Sequence, residues 1–357
     1  MNEQHYAVVV GINRYPEFRR LNYARNDAEA FYAWLIDPEG GAVPEKNIAK
    51  IMVPDEAMPE GTPRREARPV KEEIEDALDE FRLRSEQHVA ENPADWHQTR
   101  LYFFASGHGI APAPNEAALL MADAGPNHYG KNFSCAKYLE FFQKGQFFKE
   151  LIFFADCCRE RVGNAPIYGP TWTEVSNQNG QLLTVRGFAT YFGELAFEEE
   201  AEENVEPDEL RGYFSKALLE GLRGQAADPT THQIDSDTLA KYVTERVKTL
   251  TAHRRKPQTP FFASEPTTPR IVFRRNVPKQ EIKESQTHPV RLFFPAGFAG
   301  KVKLVVGQAT KEYEVGPSPW VVPLTNGAYR VKPEDGSNPF QGGGYFEVIG
   351  EAIDVKL

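Results

Sequence analysis

Residues 151–162 read LIFFADCCRERV, a short apolar run rich in aromatic side chains that stops on an acid and two adjacent cysteines. A run of this length fits a strand covered on both faces, as in a parallel sheet. The cysteines admit four readings: strand-end packing, half of a metal site, a redox pair, or a nucleophile. Zinc and dithiol sites need a spacing such as C-x-x-C, whereas Cys157 and Cys158 are adjacent, and three cysteines are too few for a disulfide framework. Packing or reactivity remains.

Two further runs, YAVVVGI (6–12) and LYFFAS (101–106), have the same character. Helical patterns lie between them. NDAEAFYAWLI (26–36) places Phe31, Trp34 and Leu35 on one face, residues 69–89 open on Pro69 and carry Ile74, Leu78 and Phe81, and CAKYLEFFQKG (135–145) precedes the third run. Strands alternating with helices predict an α/β fold, a mostly parallel sheet flanked by helices with right-handed crossovers. Residues 159–181 then turn irregular, and an acidic run, EEEAEENVEPDE, follows at 198–209. LLTVRGFATYFGELAFE (182–198) reads as extended chain, and YFSKALLEGLRG and SDTLAKYVTERVKTL as helices. Near residue 276 the chain becomes polar and aperiodic, which suits a linker over 276–286 after a first domain at 1–275. Residues 287–357 hold short strand-like pieces separated by Gly, Pro and Asn-Gly turns, and predict a small all-β sandwich.

The 357 residues, 41% of them hydrophobic, suffice for a large buried core. A formal charge of −10 excludes nucleic acid as an expected partner, because phosphate contacts need a basic face, and HRRK at 253–256 reads as a solvated loop. No run approaches the length of a membrane span, and the N-terminus has no basic leader, so a cytoplasmic protein without membrane association is expected.

In open α/β sheets ligands sit beyond the carboxyl ends of the strands. There, LYFFAS runs into Gly107-His108-Gly109 and LIFFA into Asp156-Cys157-Cys158-Arg159. A histidine and a cysteine thus leave two strand ends on one rim, where an imidazole could take a thiol proton. Taken singly, a strand-end cysteine is usually a small buried hydrophobe and a lone histidine structural.

Together they resemble the caspase and metacaspase family of cysteine peptidases. Asp156, Cys157, Cys158 and Arg159 occupy the places of the caspase element Q-A-C-R, and His108 lies 50 residues upstream of Cys158. Metacaspases and bacterial orthocaspases read D-S-C-x-S-G and S-G-H-G; this chain has Asp-Cys-Cys-Arg-Glu and Ser106-Gly107-His108-Gly109, with Glu160 where the family has a small residue. YAVVVGINRYPEFRRLNYARNDAEAF resembles the first strand and loop of bacterial members. GFATYFGELAFE and GYFSKALLEGLRG resemble the substrate-binding strand and its following helix. The likeness spans about residues 5–275.

The resemblance implies Cys158 as nucleophile, His108 as its base and general acid, and the backbone N–H groups of Gly109 and Cys158 as oxyanion donors, with neither cofactor nor metal required. It implies that Asp27 and Asp156, with Ser106 beside them, line the pocket for the residue before the scissile bond. For Asp27, capping of its own helix is the alternative. Two carboxylates call for a guanidinium, so cleavage of protein or peptide substrates after Arg is expected, with Lys slower and Asp rejected. Some metacaspases need Ca2+, but the acidic run has no D-x-D-x-D-G spacing, and calcium activation is not expected. The segments 159–185 and 198–209 read as exposed gating loops with Arg159, Arg161 and Arg186 as points of self-cleavage, and the β-domain as the place for a partner protein, in regulated proteolysis such as bacterial defence or cell death. An inactive caspase-like scaffold and a cysteine hydrolase or acyltransferase acting on other substrates are the competing readings.

Overall fold

A computed structural model describes residues 2–54, 57–162, 165–170, 180–199, 210–252, 254–278, 288–306, 309–316, 319–324, 327–337, 339–348 and 353–357. The chain divides into two compact units, Met1–Glu281 and Ile282–Leu357, at a point inside the segment read as a linker.

In chain order the first unit runs β1 (His5–Gly11), α1 (Ala24–Ile36), β2 (Ile48–Met52), α2 (Lys71–Glu91), β3 (Arg100–Ser106), β4 (Gly109–Ile110), β5 (Ala118–Leu120), β6 (Asn132–Ser134), α3 (Cys135–Gly145), β7 (Glu150–Asp156), β8 (Leu183–Phe188), α4 (Tyr213–Glu220), β9 (Ile234–Asp235), α5 (Ser236–Leu250), β10 (Phe261–Glu265) and β11 (Val272–Arg274). The main sheet has the order β10-β8-β7-β3-β1-β2. Its strands are parallel except β10, which pairs antiparallel with β8 at the edge.

The apolar runs are continuous because both sheet faces are covered. Val8, Phe103 and Phe153 face a core shared with Ile74, Leu78 and Phe81 of α2 and Tyr138, Leu139 and Phe142 of α3. On the other face Phe104 stacks on Phe31 of α1 with ring centroids 4.5 Å apart, and Tyr102 meets Trp34 edge-on at 5.9 Å. Each buried aromatic of this kind contributes about 2–3 kcal/mol by area alone. Register then fixes the rim: Ser106 pairs with Gly11 on one side and Asp156 on the other, so β1, β3 and β7 end level.

The second unit contains β12 (His288–Phe293), β13 (Lys301–Val306), β14 (Ala309–Glu314), β15 (Trp320–Leu324), β16 (Gly327–Pro333), β17 (Tyr345–Val348) and β18 (Ile353–Lys356). They form sheets β15-β12-β18 and β14-β13-β16-β17, whose inner faces share one core that includes Val290, Leu292, Leu304, Val322 and Val331. β18 pairs parallel with β12, so one of the two sheets is mixed.

Candidate active site

Position of the two central residues follows from how β3 and β7 end. Past Ser106, the main-chain N–H of His108 donates to Tyr15 Oη at 2.9 Å, and the Tyr15 hydroxyl donates onward to Leu120 O at 3.2 Å. The imidazole lies against Tyr15 and Phe18, with centroids at 4.8 and 5.9 Å. Its Nε2 is 2.6 Å from Arg19 O. A carbonyl only accepts, so Nε2 holds the proton and the neutral ring keeps its lone pair on Nδ1.

Past Asp156 the side chains alternate. Cys157 is 1% exposed and belongs to the core, where burial raises its thiol pKa, whereas Cys158 opens into a cleft of about 540 Å3 that His108, Asp27, Asp156, Ser106 and Arg254 also line. Gly109 sits on this turn: a Cβ there would lie 2.5 Å from Cys157 Sγ and 2.7 Å from Cys158 O. Gly109 faces Leu119 in a pair whose neighbouring bond runs from Leu120 N–H to His108 O at 2.8 Å, so its own N–H points off the β5 side. Glu160 is exposed, and its main chain continues the ladder by accepting from Ala111 N at 2.9 Å.

Cys158 and His108 are bonded elsewhere rather than to each other. Ala196 N–H donates to Cys158 Sγ at 3.3 Å. Burial pushes the Cys158 thiol up to about 11, the Ala196 N–H opposing it and the carboxylate of Glu160 adding to it. The segment carrying Ala196 is tied down along its length. Arg159 N–H donates to Glu194 O at 3.0 Å, Phe197 N–H to Gln258 Oε1 at 2.9 Å, and Glu199 N–H to Arg211 O at 2.9 Å. Glu198 reaches the start of α1, accepting from Asn22 N at 3.1 Å and Tyr23 N at 2.8 Å. That helix has no side-chain cap of its own at Tyr23. A carboxylate 175 residues distant along the chain supplies it.

Asp27 and Asp156 share the floor of the cleft, 1% and 5% exposed. Asp27 Oδ2 accepts from Ser106 Oγ at 2.8 Å and Oδ1 from Gly212 N at 2.9 Å. Asp156 Oδ2 accepts from Ser215 N at 3.0 Å and Oγ at 2.7 Å. Gly212 lies between them, and a Cβ there would come 2.3 Å from Asp156 Oδ2 and 3.1 Å from Asp27 Oδ2. Desolvation, with repulsion from Asp156, raises Asp27 well above the carboxylate range, against its two hydrogen bonds and nearby Arg211. Burial lifts Asp156 to about 6, against the Ser215 bonds and helped by Glu198. Near neutral pH the pair therefore keeps a proton.

Several expectations are corrected here. Asp27 caps no helix: α1 begins at Ala24, and its carboxylate is spent on Ser106 and Gly212. Arg159 cannot be a cleavage point. It is 0% exposed, donates to Glu116 O and Thr190 O, both at 2.9 Å, and to Pro114 O, and lies between the rings of Phe188 and Phe261 at 5.0 and 5.2 Å. Arg186 is part-exposed, but its main chain is paired between β7 and β10 and its side chain is bridged to Glu265 at 2.9 Å. Arg161 is exposed, over the ring of Phe192. The stretch read as extended through 198 leaves the sheet at Phe188 and returns over Cys158, where Ala196 meets the thiol. Of the acidic run only Glu198 and Glu199 lie within the described residues, as do parts of 159–185. Sequence reasoning missed Gly212, Ser215 and Glu198. The one signal was a serine, Ser215, on the apolar first turn of α4.

Among the described residues no cluster of three or more His, Cys, Asp or Glu could hold a metal ion, and no helix is long and apolar enough to cross a membrane.

A parallel sheet that presents a histidine and a cysteine on adjacent strand ends is the arrangement of the caspase domain, and the profile of that domain (Peptidase C14) matches residues 4–271. The chain belongs to the caspase-domain family. It is similar to a probable protease of a Desulfuromonadales bacterium, 30% identical over 265 residues, covering 68% of this chain but 30% of that relative. Among solved structures it is similar to caspase-1 from Spodoptera frugiperda (TM-score 0.46, 14% identity, 73% of this chain and 88% of that one) and to a protein from Geobacter sulfurreducens (TM-score 0.41, 12% identity, 73% and 93%).

Proposed function

We propose that the protein is a gated cysteine endopeptidase that cleaves after arginine. The observation that carries this reading is the cleft itself, where a thiol, an imidazole with a basic Nδ1 and two buried carboxyls share one wall. His108 Nδ1 takes the proton of Cys158, the thiolate adds to the peptide carbonyl, and the protonated ring then gives the proton to the departing amine. The oxyanion forms beside the N–H groups of Gly109 and Cys158. Asp27 and Asp156, oriented by Ser106, Gly212 and Ser215, receive the guanidinium, whose planar fork engages two carboxylates where an ammonium meets them as a point charge. Neither cofactor nor calcium has a part in these steps.

Peptides with a fluorogenic leaving group test the specificity. Arg substrates are turned over, Lys substrates more slowly, and Asp substrates not at all. Because a cation needs both carboxylates ionised, KM for Arg substrates rises as pH falls through about 6, the value of Asp156, and binding near neutrality releases a proton. Efficient cleavage after Asp, or a KM indifferent to pH between 5 and 7, contradicts the pocket.

The gate is the segment 194–199. It holds Cys158 through Ala196 and is latched by Glu198 on α1. Two charge-assisted bonds of about 1.5 kcal/mol or more each hold the latch. Glu198→Ala should therefore speed alkylation of Cys158 by iodoacetamide by roughly tenfold or more, with the thermal transition recorded alongside to exclude general unfolding. An unchanged alkylation rate in a folded variant removes Glu198 from the gate. We place this activity in regulated proteolysis such as bacterial defence or cell death, as the family resemblance implies, and assign the docking of a partner protein to the second unit.

A further inference from the structure

The loop between β1 and α1 touches His108 at both main chain and ring. It is built to hold a fixed shape. Leu21 N–H donates to Asn13 O at 2.9 Å, Asn13 Nδ2 to Asn22 O at 3.3 Å, and Arg25 N–H to Asn13 Oδ1 at 3.0 Å, which closes the loop at its base. From this frame the Tyr15 hydroxyl meets the His108 main-chain N–H, the rings of Tyr15 and Phe18 lie against the imidazole, and the Arg19 carbonyl takes Nε2.

Tyr15 is the member that joins main chain to ring. It is 5% exposed, and its hydroxyl completes a closed circuit with two main-chain segments. Leu120 N–H donates to His108 O at 2.8 Å, His108 N–H to Tyr15 Oη at 2.9 Å, and the Tyr15 hydroxyl to Leu120 O at 3.2 Å. Both polar main-chain groups of His108 are thereby bonded. The hydroxyl also sits tightly on the turn, where a Cβ on Gly107 would lie 2.6 Å from Tyr15 Oη. Burial raises the Tyr15 pKa, so the oxygen keeps the proton that it gives to Leu120 O. Packing alone does not call for that hydroxyl, since a phenylalanine ring fills nearly the same space.

What the circuit fixes follows from the proposed peptidase reading, on which the inference rests. His108 can take the thiol proton only while Nδ1 carries a lone pair, and that holds while Nε2 keeps its proton on Arg19 O. The ring hangs from the main chain that Tyr15 holds. We infer that Tyr15 is a positioning residue for His108: its hydroxyl fixes the turn from which the imidazole projects and so keeps the ring on Arg19 O, in the tautomer that leaves Nδ1 basic. Without the hydroxyl, His108 N–H and Leu120 O lose their partners in a buried place, and the turn shifts to find others. The bond from Nε2 to Arg19 O then weakens, and the two tautomers of the ring interconvert.

Nuclear magnetic resonance of the full-length protein with isotope-labelled histidine tests this at about pH 8, where a free imidazole is neutral. Signals of the His108 ring are assigned by their loss in His108→Gln. The parent should show one protonated nitrogen, Nε2, and one bare nitrogen, whereas Tyr15→Phe should bring both towards the intermediate positions of exchanging tautomers. On Arg peptides Tyr15→Phe should lower kcat about tenfold and leave KM within about twofold. Rates are referred to the folded fraction from the thermal transition, so a purely structural role for the hydroxyl would change neither kcat nor the spectrum. Gly107→Ala crowds the same hydroxyl with Tyr15 in place and should give the same signature, which serves if Tyr15→Phe does not fold. A folded Tyr15→Phe protein with the parent's ring spectrum, with unchanged kcat, or with a raised KM at constant kcat, overturns the inference. Absence of turnover of Arg, Lys and Asp peptides by the parent defeats the peptidase reading instead, and the spectra still decide whether Tyr15 sets the tautomer.

Discussion

Cys158→Ala should lower turnover of Arg peptides by at least about 10^4-fold, while Cys157→Ala keeps most of it. The two thiols are one residue apart and belong to different environments. Both residues border the cleft, but the Cys158 sulfur is half-buried there against the Ala196 backbone, whereas Cys157 is 1% exposed with its side chain in the core and Gly109 packed on its sulfur. Removing the Cys157 sulfur leaves a small void, for which about 1–2 kcal/mol of stability is a reasonable loss. Steady-state kinetics on both variants, with a denaturation curve for each, decides the assignment. Comparable loss of turnover from both changes, with both folded, would mean that the nucleophile has been misplaced.

Replacing Asp27 by Asn should do two opposite things. Turnover of Arg substrates falls about a hundredfold, since one of two buried acceptors for the guanidinium becomes neutral, which is worth about 3 kcal/mol of transition-state stabilisation. The folded protein, by contrast, becomes more stable at pH 7. Asp27 is buried with its pKa raised, chiefly by desolvation and then by Asp156, so folding favours its protonated form. Stability from that group is fully present below its unfolded pKa, about 4, and is lost as pH rises through the folded value. An amide keeps the neutral form at every pH, can still accept from Gly212 N–H, and can donate to Ser106 Oγ. The gain present at pH 7 should shrink as pH falls and vanish near pH 4. Urea titrations at the two pH values, beside kcat/KM, check both halves. A loss of stability at pH 7 would show that the carboxylate is ionised and satisfied in the free protein.

The sheet was legible because its central strands are covered on both faces, so the runs ending at Ser106 and Asp156 are apolar at every position. The helices at 135–145 and 236–250 were legible to the residue, since Ser134 and Asp235 cap them locally. Strands β4, β5, β6 and β9 are only two or three residues long, too short for any periodicity, and β10 is half-exposed with mixed composition. The two central site residues could be read because each sits at the end of such a strand. Their supports could not. Gly212 and Ser215 reach Asp27 and Asp156 from beyond the acidic run, and Glu198 caps a helix near the other end of the domain. Arg159, read as exposed, is buried because its donors find main-chain carbonyls at Pro114, Glu116 and Thr190, which no local pattern announces.

The N-terminus of α1 serves two masters. Its free N–H groups hold Glu198, and its first turn carries Asp27. The segment over the thiol and the acid on the cleft floor are thus joined through one helix turn. On the proposed reading, a guanidinium that shifts this turn as it meets Asp27 also strains the Glu198 latch, so admission of substrate and release of the sulfur are coupled.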